Sequence, residues 1–244
     1  MEIDKSKYHN KLKDFSKNAF LEDKDYPKRY CYVLTNLCNL ACNFCFQDRK
    51  KQNGAMTGDD WIKLTNELPD GSRVTLTGGE PVVFKDFKRV FDHVAKKFEC
   101  NMITNGILLN EELIDFLLTY KKFKVLSISI DNKKNTIRKN ANIGEKKWDE
   151  KWAKVEKMMH YFQKRKRELG HDSCVLDAKT VVLDDNASEL LEIHKYCVED
   201  LKCDTHSFQF LKGSPIQHAD IMFPENKIFE KSSAYIYKNW RVIT

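Results

Sequence analysis

Short apolar segments alternate with amphipathic segments six times along this 244-residue chain. Such alternation favours parallel β-α-β units over an antiparallel or all-helical arrangement. The predicted strands are residues 29–35, 73–77, 100–104, 124–130, 175–183 and 207–211. Six units are fewer than the eight of a closed barrel, so the sequence predicts an α/β fold, a partial, open (β/α)6 barrel whose parallel six-stranded sheet carries outer helices.

The helices between these strands carry apolar residues every three or four positions, and residues that can cap a helix precede several of them. Thr57 is the predicted N-cap of a helix over 59–68, and Asn110 is that of the helix after the third strand. Asp185 or Asn186 is predicted to cap the helix after the fifth strand. The helical segments therefore start where side-chain oxygens can bind unpaired backbone N–H groups.

Length and composition indicate one domain in residues 29–215, with an N-terminal extension (1–28) and a C-terminal loop and helix (216–244). The N-terminal residues lack the apolar segment of a signal peptide, and no apolar run approaches the roughly 20 residues that span a bilayer. We therefore expect a cytoplasmic protein without a membrane partner. The net charge of +6 is modest, and the basic run at 164–167 is interpreted as a solvated helix face, so nucleic acid is not an expected partner.

Three of the eight cysteines lie close together, at Cys38, Cys42 and Cys45. Thiolates are the preferred ligands of iron–sulfur clusters, and a cubane cluster takes four ligands. Three thiolates therefore predict a cluster with one open iron, because an open metal position is what binds a substrate or cosubstrate. A structural zinc site, built from the trio with Cys31 or a histidine, is the alternative. The remaining cysteines are interpreted as small hydrophobes in a reducing compartment: Cys31, Cys100, Cys174, Cys197 and Cys203.

Polar residues and glycines fall at or near the ends of the other predicted strands. In β-α barrels the chemistry lies at the carboxyl ends of the strands, so we expect these residues to meet the cysteine loop at one rim. They are Gly78-Gly79-Glu80-Pro81 after the second strand, Thr104-Asn105-Gly106 at the third, Ser129 and Asp131 at the fourth, Lys179 in the fifth and Gln209 in the sixth.

The run Cys38-Asn-Leu-Ala-Cys42-Asn-Phe-Cys45, together with Gly78-Gly79-Glu80-Pro81, resembles the signature of the radical S-adenosylmethionine (SAM) superfamily. The resemblance covers roughly residues 29–215 and implies that the three cysteines hold a [4Fe–4S] cluster whose fourth iron binds SAM. It also implies the following cofactor contacts: Gly78, Gly79 and Glu80 at the methionine amino group, Phe44 near the adenine, Thr104 and Asn105 beside the cofactor, Ser129 and Asp131 at the ribose or methionine portion, and Arg138 at the carboxylate.

The same resemblance implies reductive cleavage of SAM to a 5′-deoxyadenosyl radical, which abstracts hydrogen from a substrate. The electron donor would be a flavodoxin or a ferredoxin, and the substrate, a peptide, protein or small molecule, is not identified. Residues of the last two strands are the candidates for contact with the substrate: Asp177, Lys179, His206 and Gln209.

Within the superfamily, the fifth and sixth predicted strands look most like those of SPASM and twitch members, which carry auxiliary clusters on a cysteine-rich C-terminal extension. This sequence has no cysteine after Cys203, so an auxiliary domain is absent or the sequence is a truncated catalytic half. Two alternative functions stay open: a cluster-binding protein without catalysis, and a viperin-like enzyme that modifies a nucleotide.

Overall fold

Six parallel strands form the sheet of the protein, which we describe from a computed structural model covering residues 27–45, 47, 54–139 and 143–210. The strands lie in chain order, and every neighbouring pair is parallel. Their bounds are β1 (Arg29–Val33), β2 (Arg73–Thr77), β3 (Glu99–Thr104), β4 (Phe123–Ser129), β5 (Val175–Val182) and β6 (Thr205–Phe210). Within these residues β1 and β6 are edge strands, so the sheet is open, as predicted for a partial (β/α)6 barrel.

A helix follows each of the first five strands, and the strand-to-helix alternation of the sequence is confirmed. The helices are α1 (Gly58–Glu67), α2 (Phe87–Lys97), α3 (Glu111–Leu118), α4 (Glu145–Glu168) and α5 (Leu190–Lys195). A 3-10 segment, Lys133–Arg138, lies between β4 and α4, and a π-helical turn, Tyr196–Asp200, follows α5. The irregular stretch predicted after the fourth strand is therefore partly helical.

Two of the three predicted helix caps are confirmed. The Thr57 hydroxyl accepts from the Asp60 N–H at 3.3 Å, and the Asp60 carboxylate accepts from the Thr57 N–H at 2.7 Å, which completes a capping box on α1. The Asn110 side chain accepts from the Leu113 N–H at 2.8 Å at the start of α3. Each pairing satisfies N–H groups that the first turn of a helix leaves without a partner.

The cap predicted at Asp185 or Asn186 is wrong. Helix α5 begins at Leu190, its N-cap is Glu189, and no side chain caps it. Asn186 instead accepts from the Leu183 N–H and donates to the Asp131 carbonyl, both at 2.8 Å. This fully buried amide therefore fastens the turn after β5 to the loop after β4.

The two faces of the sheet have opposite character, and this difference positions the site. On β2, Val74 and Leu76 are fully buried under the helices, whereas Thr75 and Thr77 on the opposite face are partly exposed. Because side chains alternate along a strand, the same division runs across the sheet. The helix-covered face packs into one large apolar core, whereas the concave face carries polar residues such as Thr77, Ser129 and Lys179 beside apolar Ile103 and Val181.

Some predicted features lie outside the described residues. These are most of the N-terminal extension (1–28) and all of the C-terminal loop and helix (216–244). In the part of the chain that the structure describes, no helix is both long and apolar enough to cross a membrane.

Candidate active site

A cavity of about 300 Å³ opens at the carboxyl ends of the strands, on the concave face of the sheet. Most of the candidate site residues line it together: Cys38, Cys42, Cys45, Phe44, Gly78, Gly79, Thr104, Asn105, Ser129, Arg138, Lys179 and Gln209. Residues from all six strands and from the loops after the first four therefore converge on one space. Glu80, Asp131, Asp177 and His206 are not among its lining residues.

The three motif cysteines lie on the loop after β1 and interact electrostatically with one another. Burial raises the pKa of Cys42, and the Cys45 and Cys38 thiols add to this, whereas the Arg138 guanidinium opposes it. Burial likewise raises the pKa of Cys38. Metal binding deprotonates such thiols, so cluster assembly at this loop would release protons.

The donor set on this loop bears on which metal group it could hold. Three thiols, Cys38, Cys42 and Cys45, line one cavity. Thiolates are the ligands of iron–sulfur clusters, and a cubane cluster binds each thiolate at a different iron. The three-cysteine donor set therefore fits a cluster.

The Gly78–Gly79 turn packs directly against the chain that leads into the cysteine loop. The Gly79 N–H donates to the Thr35 carbonyl at 2.6 Å, and the Glu80 N–H donates to the Leu37 carbonyl at 2.9 Å. A Cβ atom on Gly79 would lie 2.3 Å from the Leu37 oxygen, and one on Gly78 would lie 2.6 Å from the Thr35 oxygen. Only glycine permits this approach, which joins the loops after β1 and β2 into one wall.

The Glu80 carboxylate is fully buried and is not among the groups that line the cavity. It accepts from the Thr104 hydroxyl at 2.7 Å and from the Asn105 N–H at 2.9 Å. Burial raises the pKa of Glu80 to about 7, although these hydrogen bonds oppose the shift. Through them the carboxylate fixes the loop after β3 to the glycine turn.

Arg138 enters the cavity from the 3-10 segment after β4, and a buried carboxylate orients it. Its Nε lies 2.5 Å from the Asp131 carboxylate, which is fully buried and also accepts from the Val181 N–H at 2.7 Å. The guanidinium lies 5.2 Å from the centre of the Phe44 ring, a cation–π distance. Asp131 thus acts on the cavity through Arg138.

The four substrate candidates divide between the two faces of the sheet. Lys179 and Gln209 line the cavity, and Asp177 lies beneath them, accepting from the Ser127 and Ser207 hydroxyls at 2.9 Å and 3.1 Å. Lys179 Nζ donates to the same Ser207 hydroxyl at 3.1 Å. Three strands therefore supply one connected polar cluster on the concave face.

His206 lies on the opposite, helix-covered face of β6. Its Nε2 lies 2.8 Å from the Thr180 hydroxyl, and its Nδ1 lies 3.2 Å from Nδ1 of His194, whose ring stacks on it. The Thr180 hydroxyl itself donates to the Ile130 carbonyl, so it accepts from Nε2 of His206. Burial lowers the pKa of His206 to about 3, which keeps this pair neutral.

Several cavity residues were not singled out from the sequence. Cys31 and Thr77 line the cavity from β1 and β2, and Gln47 lines it from the cysteine loop, where its Nε2 donates to the Gly78 carbonyl at 2.9 Å. Cys31, interpreted from the sequence as a packed hydrophobe, is exposed. Strand parity could have found it, because Tyr32 and Leu34, one and three positions further along, face the core.

Comparison with known families decides what this constellation is. The family model described as the radical SAM superfamily matches residues 32–197, more than half of the chain. The chain belongs to the radical SAM superfamily. The family that the cysteine and glycine motifs resemble is therefore confirmed.

Individual relatives are similar over part of their length. The antilisterial bacteriocin subtilosin biosynthesis protein AlbA of Bacillus subtilis is 32% identical over 110 residues, 43% of this chain and 25% of AlbA. An S-adenosylmethionine-dependent nucleotide dehydratase of Selenomonas ruminantium is 33% identical over 104 residues, 41% of this chain and 37% of the dehydratase. This chain thus matches well under half the length of either relative.

The fold also matches solved structures of SuiB from Streptococcus suis. The structure bound to S-adenosylmethionine superposes with a TM-score of 0.65 at 18% identity, covering 95% of this chain and 52% of SuiB. A second SuiB structure, bound to the precursor peptide SuiA, gives a TM-score of 0.64. At this identity the comparison establishes the shared fold.

Radical SAM proteins use a [4Fe–4S] cluster and SAM, and the residues of this cavity fit both groups. Three thiols face a common space with the glycine turn and a guanidinium, and no Asp or Glu is among the described residues that line it. The donor set therefore fits a cluster with three cysteine ligands, and the cavity also offers a guanidinium and backbone groups that suit a zwitterionic cosubstrate.

Proposed function

We propose that this protein is a radical SAM enzyme that cleaves SAM reductively and uses the resulting 5′-deoxyadenosyl radical to abstract hydrogen from a substrate. The observation that carries the proposal is the shared cavity, which Cys38, Cys42 and Cys45 line together with Gly78–Gly79 and Arg138. The bound cluster supplies the single electron for cleavage. All other requirements, namely binding, orientation and exclusion of solvent, fall on the chain itself.

The proposed cofactor contacts follow from which atoms are available in the cavity. Arg138 binds the SAM carboxylate, because the guanidinium offers several donors and Asp131 occupies only one side of it. Backbone groups of Gly78 and Gly79 bind the methionine amino group, and Ser129 offers a hydroxyl to the ribose. Phe44, which stacks near Arg138, supplies an apolar surface for the adenine.

Two of the remaining candidate residues, Glu80 and Asp131, have positioning roles in this proposal. Glu80 and Asp131 are fully buried behind the cavity, so they orient neighbouring groups instead of touching SAM. Asp131 aligns Arg138, and Glu80 aligns the loop that carries Thr104 and Asn105. A buried carboxylate with several fixed donors is a rigid support of this kind.

On the substrate side we propose a peptide or protein, bound by Lys179 and Gln209 on the open, polar concave face. AlbA takes part in bacteriocin biosynthesis and SuiB is seen with its precursor peptide, which supports a peptide substrate. Residues 29–215 would be the catalytic unit, with residues 1–28 and 216–244 as flanking segments. A flavodoxin or a ferredoxin would supply the electron.

A nucleotide substrate is the second candidate. The similarity to a nucleotide dehydratase favours it, and so does Lys179, whose ammonium group lines the cavity, donates to the Ser207 hydroxyl at 3.1 Å and lies 4.0 Å from the Asp177 carboxylate. An ammonium group with remaining donors can bind a phosphate. Adding nucleoside triphosphates or candidate peptides to the SAM-cleavage assay distinguishes the two substrate classes. Only the true substrate is converted to a product that has lost hydrogen or contains a new bond.

The proposed activity is tested by anaerobic reconstitution with iron and sulfide, followed by dithionite and SAM. We expect about four irons per chain and formation of 5′-deoxyadenosine, both lost in Cys42→Ser. Cys31→Ser is the matched control, since Cys31 lines the same cavity outside the motif; it should retain the cluster, whereas a zinc site built on Cys31 would lose its metal. If fully loaded wild-type protein forms no 5′-deoxyadenosine, the proposed enzymatic activity is refuted. The alternative of a non-catalytic cluster-binding protein then remains.

A further inference from the structure

The side-chain amide of Asn105 has a single orientation that points its nitrogen at the cysteine loop. Its Oδ1 accepts from the Ile107 N–H at 3.0 Å, so Nδ2 is the end that faces Asn39 and Cys38. Nδ2 lies 2.8 Å from Asn39 Oδ1 and 3.7 Å from Cys38 Sγ. An amide nitrogen carries two hydrogens, so one can be donated to each of these acceptors.

The backbone that carries this amide is held as firmly as the amide itself. The Asn105 N–H donates to the Glu80 carboxylate, and the Thr104 hydroxyl donates to its other oxygen. The Gly106 N–H donates to the Thr104 hydroxyl at 3.1 Å, and Asn105 as a whole is buried. The N–H donor is therefore fixed beside the sulfur before any ligand arrives.

We propose that Asn105 is a positioning residue that raises the reduction potential of the cluster by donating an N–H hydrogen bond to the Cys38 thiolate. The inference rests on the proposed function, because it requires Cys38 to be a cluster ligand. Reduction places negative charge on the cluster and its thiolates, and a fixed N–H dipole stabilises the more negative state. Donors behind the metal ligands tune a site in the same way.

One further donor reaches the same sulfur. The Leu40 N–H lies 3.4 Å from Cys38 Sγ, and backbone geometry fixes it whatever side chain stands at position 105. Removing the Asn105 amide therefore removes one N–H donor at Cys38 and leaves the Leu40 donor in place. Cys38 keeps a partner, so the cluster should still assemble in the variant.

The test compares Asn105→Ala with Asn101→Ala, each loaded with cluster anaerobically and free of SAM. Asn101 lies on β3, the strand that Asn105 directly follows, and it is not among the residues that line the cavity. Potentiometric titration followed by electron paramagnetic resonance reports the midpoint potential. We expect Asn105→Ala to lower the ratio of reduced to oxidised cluster about tenfold at a fixed potential, a shift of about 59 mV for one electron, and Asn101→Ala to leave it unchanged.

An unchanged midpoint in fully loaded Asn105→Ala overturns the proposal, since a purely structural role would reduce cluster content without moving the potential of the loaded fraction. If the alanine variant does not load, Asn105→Leu carries the same decision: it approximates the shape of asparagine, lacks the N–H donor and adds no charge. Its midpoint must then fall by about the value expected for alanine. The wild-type SAM-cleavage assay remains a separate test of the proposed function.

Discussion

Gly79 offers the sharpest test of how the glycine turn and the cysteine loop depend on each other. A Cβ atom added there would lie 2.3 Å from the Leu37 oxygen, 2.6 Å from the Leu37 carbonyl carbon and 2.7 Å from the Asn36 oxygen. All three are backbone atoms, so no side-chain rotation relieves the contact. Reaching an ordinary separation of 3.4 Å requires the two loops to part by about 1 Å.

The expected cost of Gly79→Ala has two parts. Forcing an extra methyl group into a packed site costs about 1–3 kcal/mol of unfolding free energy. The displaced segment also accepts the Glu80 N–H at Leu37 and leads directly into Cys38. A misplacement of about 1 Å near reacting groups costs about 100-fold in rate, so SAM cleavage should slow by about that factor.

Gly144→Ala is the matched control for this substitution. No atom lies within 4 Å of a Cβ at Gly144, and its φ of −61° suits alanine. As the N-cap of α4 it should lose at most about 1 kcal/mol. Urea unfolding and 5′-deoxyadenosine formation are measured on wild type and both variants; if Gly79→Ala matches Gly144→Ala in both, the two loops are not rigidly coupled and the reasoning fails.

The remaining predictions concern buried charges behind the cavity and on the outer face. Arg138→Met leaves the Asp131 carboxylate buried without its cation, so thermal unfolding should show a loss of about 3–5 kcal/mol, and a loss under 1 kcal/mol would contradict the ion pair. Thr104→Val removes a hydrogen bond to the Glu80 carboxylate and should cost about 1.5–3 kcal/mol in urea unfolding, against no change if the bond is absent. Burial lowers the pKa of His206 in the folded protein to about 3. The stability that depends on neutral His206 is therefore fully present above the ordinary histidine pKa and is lost as the pH falls below it. Wild type should therefore lose about 1 kcal/mol between pH 7 and pH 5.5 from this group, and His206→Gln should lose that much less.

Much of the fold could be predicted because buried parallel strands and amphipathic helices leave strong periodic signals. β2 was placed at its observed bounds, and the Thr57 and Asn110 caps were identified because each precedes an apolar stripe. The Asn186 cap failed for a physical reason. An asparagine amide can cap a helix or join two loops, and only the tertiary structure brings the Asp131 carbonyl within its reach.

The residues of the candidate site could likewise be predicted only in part. The cysteines and glycines are readable because their chemistry depends on local spacing, whereas the roles of Glu80 and Asp131 depend on which loops meet. The sequence could not show that both carboxylates are fully buried. The face of His206 was readable in principle, since Ser207 and Gln209 alternate with His206 and Phe208, and the aromatic residue marks the core side of β6.

The buried carboxylates explain why the cavity carries positive and neutral groups only. Three acids stand behind it, at the loop after β2, the loop after β4 and within β5: Glu80, Asp131 and Asp177. Each contacts a residue that lines the cavity. Glu80 accepts from the Asn105 N–H, Asp131 pairs with Arg138, and Asp177 lies 4.0 Å from the Lys179 ammonium group. Glu80 and Asp177 accept from N–H and O–H donors around them, and Asp131 accepts from the Val181 N–H besides pairing with Arg138, so the cavity nitrogens keep further donors for anionic partners. We therefore expect Asn105 to donate to a thiolate, Arg138 to bind the cosubstrate carboxylate and Lys179 to bind an anionic group of the substrate. Each of the three has one buried acid beside it.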